Sequence, residues 1–327
     1  VHWPATNAFR DLEIAFRRLV FTSSPHETCG LGGHGLMITR RKLLRRTISA
    51  ATMAAVFDSF PYAAYASSKP KLASDVVTLG PRKIQLRRLA IGTGTHGFGG
   101  SSDQTRRLGV KGLANLLRTG YDEGVNFWDS ADQYGSHPHV AEALKGVPCE
   151  KVVLLTKTHA RTAGEMKDAL DRFRRELNTD YIDIVLLHCM TSDRWPEERR
   201  GAMEYIQEAQ EKGLIRTRDV SCHTLGALKA AAESDWVEVD LARINPAGAV
   251  MDADVETVTS VLRQMKSRGK GIIGMKILGQ GQLASKADEC LQYALASDVV
   301  YCFTIGTSGV AQFQQLTKQI RAASTRG

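Results

Sequence analysis

From Val76 onward, short runs of β-branched and aliphatic residues alternate with stretches of helical period. The segment TLGPRKIQLRRLAIGTG reads as a hairpin leading into a first buried strand that ends near Gly92. Further apolar runs follow at 125–129 (VNFWD), 151–157 (KVVLLTK), 181–188 (YIDIVLLH), 217–222 (TRDVSC), 237–245 (VEVDLARIN), 271–277 (GIIGMKI) and 299–306 (VVYCFTIG). Between them lie helical stretches such as 163–177 and 252–269. In the second, Val255, Val258, Val261, Leu262 and Met265 approximate one apolar face. Eight strands, each followed by a helix, in about 250 residues match the count and size of a (β/α)8 TIM barrel. The reading is therefore an α/β chain with a single barrel domain over 76–327, preceded by a hairpin and a signal segment. A doubly wound open sheet is the other arrangement such alternation allows. Its phosphate-binding turn belongs after the first strand, where GTGTHGFGG lacks the GxGxxG spacing.

Composition narrows the function classes. Of the 327 residues, 43% are hydrophobic, enough for a full core and too many for a disordered chain. Six cysteines without a CxxC pair argue against a disulfide framework or a zinc ribbon. The formal charge of +8 suggests nucleic acid until it is divided, because five of those charges sit in residues 1–70. The barrel segment has no dense basic cluster, so no nucleic-acid partner is expected. No apolar run reaches the ~18 residues of a membrane-spanning helix, so no stable membrane span is expected either.

The N-terminal excess is organised. In residues 37–66 a basic run containing Arg40, Arg41, Lys42, Arg45 and Arg46 precedes an alanine-rich apolar stretch, and Ala64-Tyr65-Ala66 closes it. That order is the order of a secretory signal peptide. The Arg40-Arg41 pair followed by Leu43-Leu44 resembles a twin-arginine signal, which addresses folded proteins for export. The expected partner is the twin-arginine export machinery, and the expected location is periplasmic or extracytoplasmic. A basic amphipathic helix is the alternative. Residues 1–36 read as upstream sequence or a disordered extension, or else as a genuine helical one, and 67–75 as a linker.

In a barrel of this kind, chemistry belongs at the C-terminal ends of the strands. Those ends carry Asp129, Lys157 and His188, with Tyr134 in the loop just after Asp129. Three ionisable groups thus stand at the tips of apolar runs, where packing gives no reason for them. A phenol is a weak acid, with a pKa of ~10, and a nearby ammonium stabilises its anion. Asp129 can hold Lys157 in place, and His188 can donate to the oxygen that Tyr134 protonates. The set suits proton delivery to a developing alkoxide. A hydride has to come from a cofactor.

This constellation resembles the aldo-keto reductase family. GVNFWDSADQYG (124–135) is similar to that family's active-site motif, VVLLTK supplies its lysine and YIDIVLLH its histidine. The resemblance covers residues 76–323. It implies NADP- or NAD-dependent interconversion of an alcohol and a carbonyl (aldehyde, ketone or sugar), with Tyr134 as general acid and Lys157 lowering its pKa. It also implies cofactor contacts from Gly94, Thr95, Ser221, Lys276, Leu278, Gly306 and Thr307, with Lys276 facing the pyrophosphate. The pattern departs from the family at several places. Cys222 stands where an Asn is usual, Leu241 where a Gln is usual, and Asp219 in place of a Gly, which suggests an irregular start to that strand. Gly306 and Gln312 stand where basic residues often grip a 2′-phosphate, which leaves the choice between NADP and NAD open.

Further expectations concern the rim and the thiols. The chain runs only a few residues past its last helix, so an open pocket is expected, with His96 and Trp128 as candidates for its rim and a core position as the alternative for Trp128. The adjacent pairs His188-Cys189 and Cys222-His223 have zinc-ligand residue types. Neighbours on a strand face opposite ways, however, so no metal site is expected. Pairing of Cys290 with Cys302 is left open. Two other functions use the same residues: a cofactor-binding sensor or regulatory barrel without turnover, and a sugar isomerase or lyase without redox chemistry.

Overall fold

The computed structural model describes residues 69–325. The segments 1–36 and 37–66 lie outside the described residues. Two antiparallel strands, β1 (Val76–Leu79) and β2 (Ile84–Arg87), form the hairpin. Eight parallel strands then close into a barrel: β3 (Leu89–Gly92), β4 (Phe127–Asp129), β5 (Val153–Thr158), β6 (Ile182–Met190), β7 (Ile215–Cys222), β8 (Val239–Arg243), β9 (Gly271–Met275) and β10 (Cys302–Gly306). They pair in chain order, and β10 bonds both β9 and β3 to complete the ring.

The helices are α1 (Asp103–Asp122), α2 (His137–Leu144), α3 (Ala163–Leu177), α4 (Trp195–Glu198), α5 (Arg200–Glu211), α6 (Leu225–Glu233), α7 (Val255–Ser267), α8 (Ala287–Ala296) and α9 (Val310–Ala323). One follows each barrel strand, with the single turn α4 ahead of α5. Local chemistry sets their limits, as α3 illustrates. Thr162 and Glu165 form a reciprocal capping box, Asn178 ends the helix in the left-handed region, and Met166, Leu170, Phe173 and Leu177 make its buried stripe.

Burial separates into two layers. Inside the ring, Ala90, Phe127, Leu155, Ile184, Leu186, Val239, Leu241 and Ile273 fill the interior, joined by Leu79, Ile84 and Leu86 of the hairpin. The hairpin therefore plugs the N-terminal end of the barrel. Outside the ring, alternate strand residues pack against the helices. Trp128 belongs to this outer layer and is fully buried, so it does not reach the rim. Several apolar runs outlast their strands: Val237, Ile244, Ile277 and Val299 are buried but lie outside the ladders. Apolar residues report burial, and only hydrogen bonding defines a strand.

Two expectations change, and one open question closes. The last part of 67–75 is no free linker, because Ala73 is buried, its carbonyl accepts from Leu89 N at 3.0 Å, and Lys71 N donates to Ser324 Oγ at 2.9 Å. Asp219 does not disturb β7, which runs unbroken from Ile215; its carboxyl is buried and accepts from the Thr217 hydroxyl. The irregularity lies in β6, where the register slips between Leu187 and Met190 and Cys189 adopts φ +61°. Cys290 and Cys302 are both buried, and their thiols are free. Among the described residues, no helix is long and apolar enough to cross a membrane.

Candidate active site

Asp129 ends β4 and Lys157 lies near the end of β5, on neighbouring strands of the ring. Both side chains are buried, with Lys157 only 1% exposed, and they form an ion pair. Lys157 Nζ also donates to Ser130 O at 2.8 Å, and the second Asp129 oxygen accepts from Thr304 Oγ1 of β10 at 2.7 Å. Every strong bond of the pair is thus satisfied within the barrel. Burial alone would lower the Lys157 pKa, but Asp129 and Tyr134 outweigh it and the net direction is upward. The lysine stays charged.

Tyr134 comes from a single 3-10 turn, Asp132–Tyr134, which Gly135 closes in the left-handed region at φ +62°. Its ring lies against Gly94 and Gly97 of the loop after β3, where a Cβ at either position would run into the ring. Lys157 Nζ stands 4.8 Å from the ring centroid. The net pKa direction differs from the sequence expectation. Burial raises the phenol pKa more than the neighbouring ammonium lowers it, so the resting tyrosine is firmly protonated.

His188 lies on β6, 4% exposed, with its ring edge-on to Tyr134 at 5.8 Å between centroids. His159 stacks on it at 4.9 Å, and the His223 ring meets it edge-on at 6.5 Å. Burial, then the charge of Lys157, holds His188 well below the usual imidazole range, so its ring is neutral. Burial likewise takes His223 down to about 4. The bulge at Cys189 breaks the alternation expected of a strand and brings its Sγ within 3.0 Å of His223 Nδ1. Ser221 serves this bulge, its hydroxyl accepting from Cys189 N at 2.9 Å. Among the described residues, no three His, Cys, Asp or Glu side chains form a group suited to a metal ion.

A cleft of about 360 Å³ opens beside this cluster. Asp129, Tyr134 and Lys157 line it, together with Gly94, Thr95, Lys276, Leu278, Gly306 and Thr307 of the expected cofactor set. Ser221 and His188 are not among its lining residues, while Leu241 and Met275 give it an apolar patch. His96 reaches the rim and pairs with Asp103 at 2.9 Å. The Thr307 hydroxyl oxygen is buried with no partner among the described residues, as a site shaped for a polar ligand would leave it.

Three lining residues escape sequence reasoning. Gln104 is buried and staples two loops, accepting from Thr95 N at 3.0 Å and donating to Thr95 Oγ1 at 2.7 Å and to Thr307 O at 3.3 Å. Arg107 brings a cation to the cleft from the same turn of α1, which kinks at Gly109 (φ +60°). It lies in the same lining as Gln312, where the sequence offered no charge. Thr304 is the third. It shares the parity of Gly306 on β10, a signal that would have marked it as facing inward.

The aldo/keto reductase family model matches residues 90–322. A methylglyoxal reductase of Escherichia coli is 38% identical over 137 residues, covering 40% of this chain and 45% of its own length. An aldo-keto reductase of Alternaria alternata is 24% identical over 213 residues, covering 53% and 57%. The chain thus spans about half the length of the curated relatives it matches. Among solved structures, a putative aldo-keto reductase from Pseudomonas aeruginosa superposes with a TM-score of 0.63 at 21% identity, over 78% of this chain and 98% of that one. An aldo/keto reductase from Klebsiella pneumoniae in complex with NADP and acetate gives 0.57 at 21% identity, over 75% and 89%.

Proposed function

The chain belongs to the aldo/keto reductase family, and from that premise we propose that its cleft interconverts a small carbonyl compound and the corresponding alcohol with NADPH or NADH. The observation that carries this reading is the buried Asp129–Lys157 pair set against the phenol of Tyr134. When bound, the reduced nicotinamide supplies a hydride, which no side chain carries. Gly94, Thr95, Leu278, Gly306 and Thr307 would hold it, and the orphaned Thr307 hydroxyl is the observation that fits such a ligand. Arg107 offers the cation that a 2′-phosphate requires.

The remaining work is proton chemistry by this chain's own residues. Tyr134 enters the reaction protonated, since burial raises its pKa, and gives its proton to the carbonyl oxygen as negative charge gathers there. The phenolate left behind faces the Lys157 ammonium, which Asp129 and Ser130 O prevent from swinging away. Neutral His188, edge-on to the phenol, donates a hydrogen bond to the same substrate oxygen. In the oxidative direction each transfer reverses.

Tyr134→Phe should lower kcat by roughly 10³-fold, within the range general acids contribute. NADH and NADPH affinities, titrated separately by quenching of intrinsic fluorescence, should change less than about twofold, as expected for a group that acts on the reacting oxygen rather than on the cofactor. Turnover at wild-type rate in the variant would remove this reading. On sequence grounds we also propose that residues 37–66 direct export of the folded protein. Cell fractionation of wild type against the Arg40→Lys, Arg41→Lys double variant decides it: equal distribution of the two would end the proposal.

A further inference from the structure

Lys276 follows β9 in the left-handed region at φ +57°, a conformation a lysine rarely adopts. It is half-buried and lines the cleft. Its ammonium has no hydrogen-bond or ion-pair partner among the described residues. Two other cations stand near it, and each is matched: Lys157 by Asp129 and Arg243 by Asp252. Lys276 shares the lining of the cleft with Asp129, Tyr134 and Lys157, and its charge also acts on Arg243, on Cys189 and on the rings of His188 and His223. Two buried ring nitrogens there, His188 Nδ1 and His223 Nε2, also lack partners. A half-buried ammonium without a counter-ion and a left-handed lysine both oppose folding, and together they mark a group held for a ligand.

We infer that Lys276 binds a carboxylate of the substrate, so that the cleft takes a 2-oxo acid, whose carboxylate sits beside the carbonyl that Tyr134 protonates. The inference rests on the carbonyl-reducing reading of the cleft and goes beyond it. It also moves Lys276 from the cofactor's pyrophosphate, where the family resemblance put it, to the substrate. A neutral carbonyl of the same shape leaves the ammonium unmatched, so the acid is preferred for electrostatic reasons.

The test compares pyruvate with methyl pyruvate, which carries the same ketone with its charge masked. Wild type should show kcat/KM at least about tenfold higher for pyruvate, about what one charge-assisted contact supplies. Lys276→Gln should erase that preference through KM, and Lys276→Arg should retain most of it. NADPH affinity, read by fluorescence quenching, should not change in either variant. A lost NADPH affinity in Lys276→Gln, or no preference for the acid in wild type, overturns the inference, and the second comparison holds even if the variant does not fold. Oxamate, which cannot be reduced, gives a separate readout by calorimetry. If neither ketone turns over, the reductase reading fails, and oxamate binding to wild type but not to Lys276→Gln still upholds the carboxylate site. Absence of oxamate binding to wild type rejects it.

Discussion

At the scale of single residues, the site depends as much on what is missing as on what is present. Gly94 contributes no side chain, and the Tyr134 ring fills the space. Gly94→Ala should therefore displace the phenol and cut kcat by about 10²-fold or more, as small misplacements at a reacting centre do. Circular dichroism and Tm should change little, and a fully active variant would show that the ring has another place to sit. Asp240 gives a second residue-scale prediction. Its carboxyl is buried on the helix-facing side of β8 with no partner but the weak thiol of Cys222, and burial, then the nearby Asp252, pushes its pKa up to about 8. An unfolded aspartate loses its proton near pH 4, whereas the folded one keeps it until about pH 8. Stability is thus lost as pH rises through that window and levels off above it. Asp240→Asn should gain Tm over wild type progressively from pH 4 to 8, and a pH-independent difference would contradict this. Asp129, Lys157 and His188 were legible because each is an ionisable group ending an apolar run. Gln104 and Arg107 were not, because a turn of helix places them and leaves no local mark, and Thr304 shows itself only through the parity it shares with Gly306 on β10.

At the scale of elements, the order of strands and helices was readable along the chain, and the local departures were not. The sequence pointed to Asp219 as the irregular spot, yet β7 absorbs it by turning the carboxyl to the Thr217 hydroxyl. The bulge falls instead at Cys189, an unremarkable residue after an apolar run, and what sustains it comes from the next strand. Ser221 accepts the Cys189 N–H, so Ser221→Ala leaves that donor unmet and should cost about 1–2 kcal/mol. A drop in Tm, together with faster hydrogen exchange at Cys189 and Met190, would show it; unchanged exchange would mean water or another group replaces the hydroxyl. The same dependence explains why neighbouring Cys and His types could not be read from alternation. A left-handed residue resets which way the following side chains face.

At the scale of the whole molecule, the barrel divides its labour between its ends. The strand tips that gather Asp129, Tyr134, Lys157 and His188 lie at one end, and the hairpin closes the other with Leu79, Ile84 and Leu86. Closure of the ring by β10 against β3 was legible only as a count of eight, since no residue announces a pairing between the first barrel strand and the last. The bond from Lys71 N to Ser324 Oγ, 2.9 Å long, has a topological consequence. It places the start of the described domain beside its finish, so the backbone is nearly a closed loop. A short peptide should join those two points, and new ends opened in an exposed turn such as the one around Gly213 should give a circular permutant with the same fold, because nearby termini are what such rewiring requires. Native-like circular dichroism and retained NADPH binding in that permutant would show that the eightfold ring, rather than the order in which its strands emerge, specifies this structure.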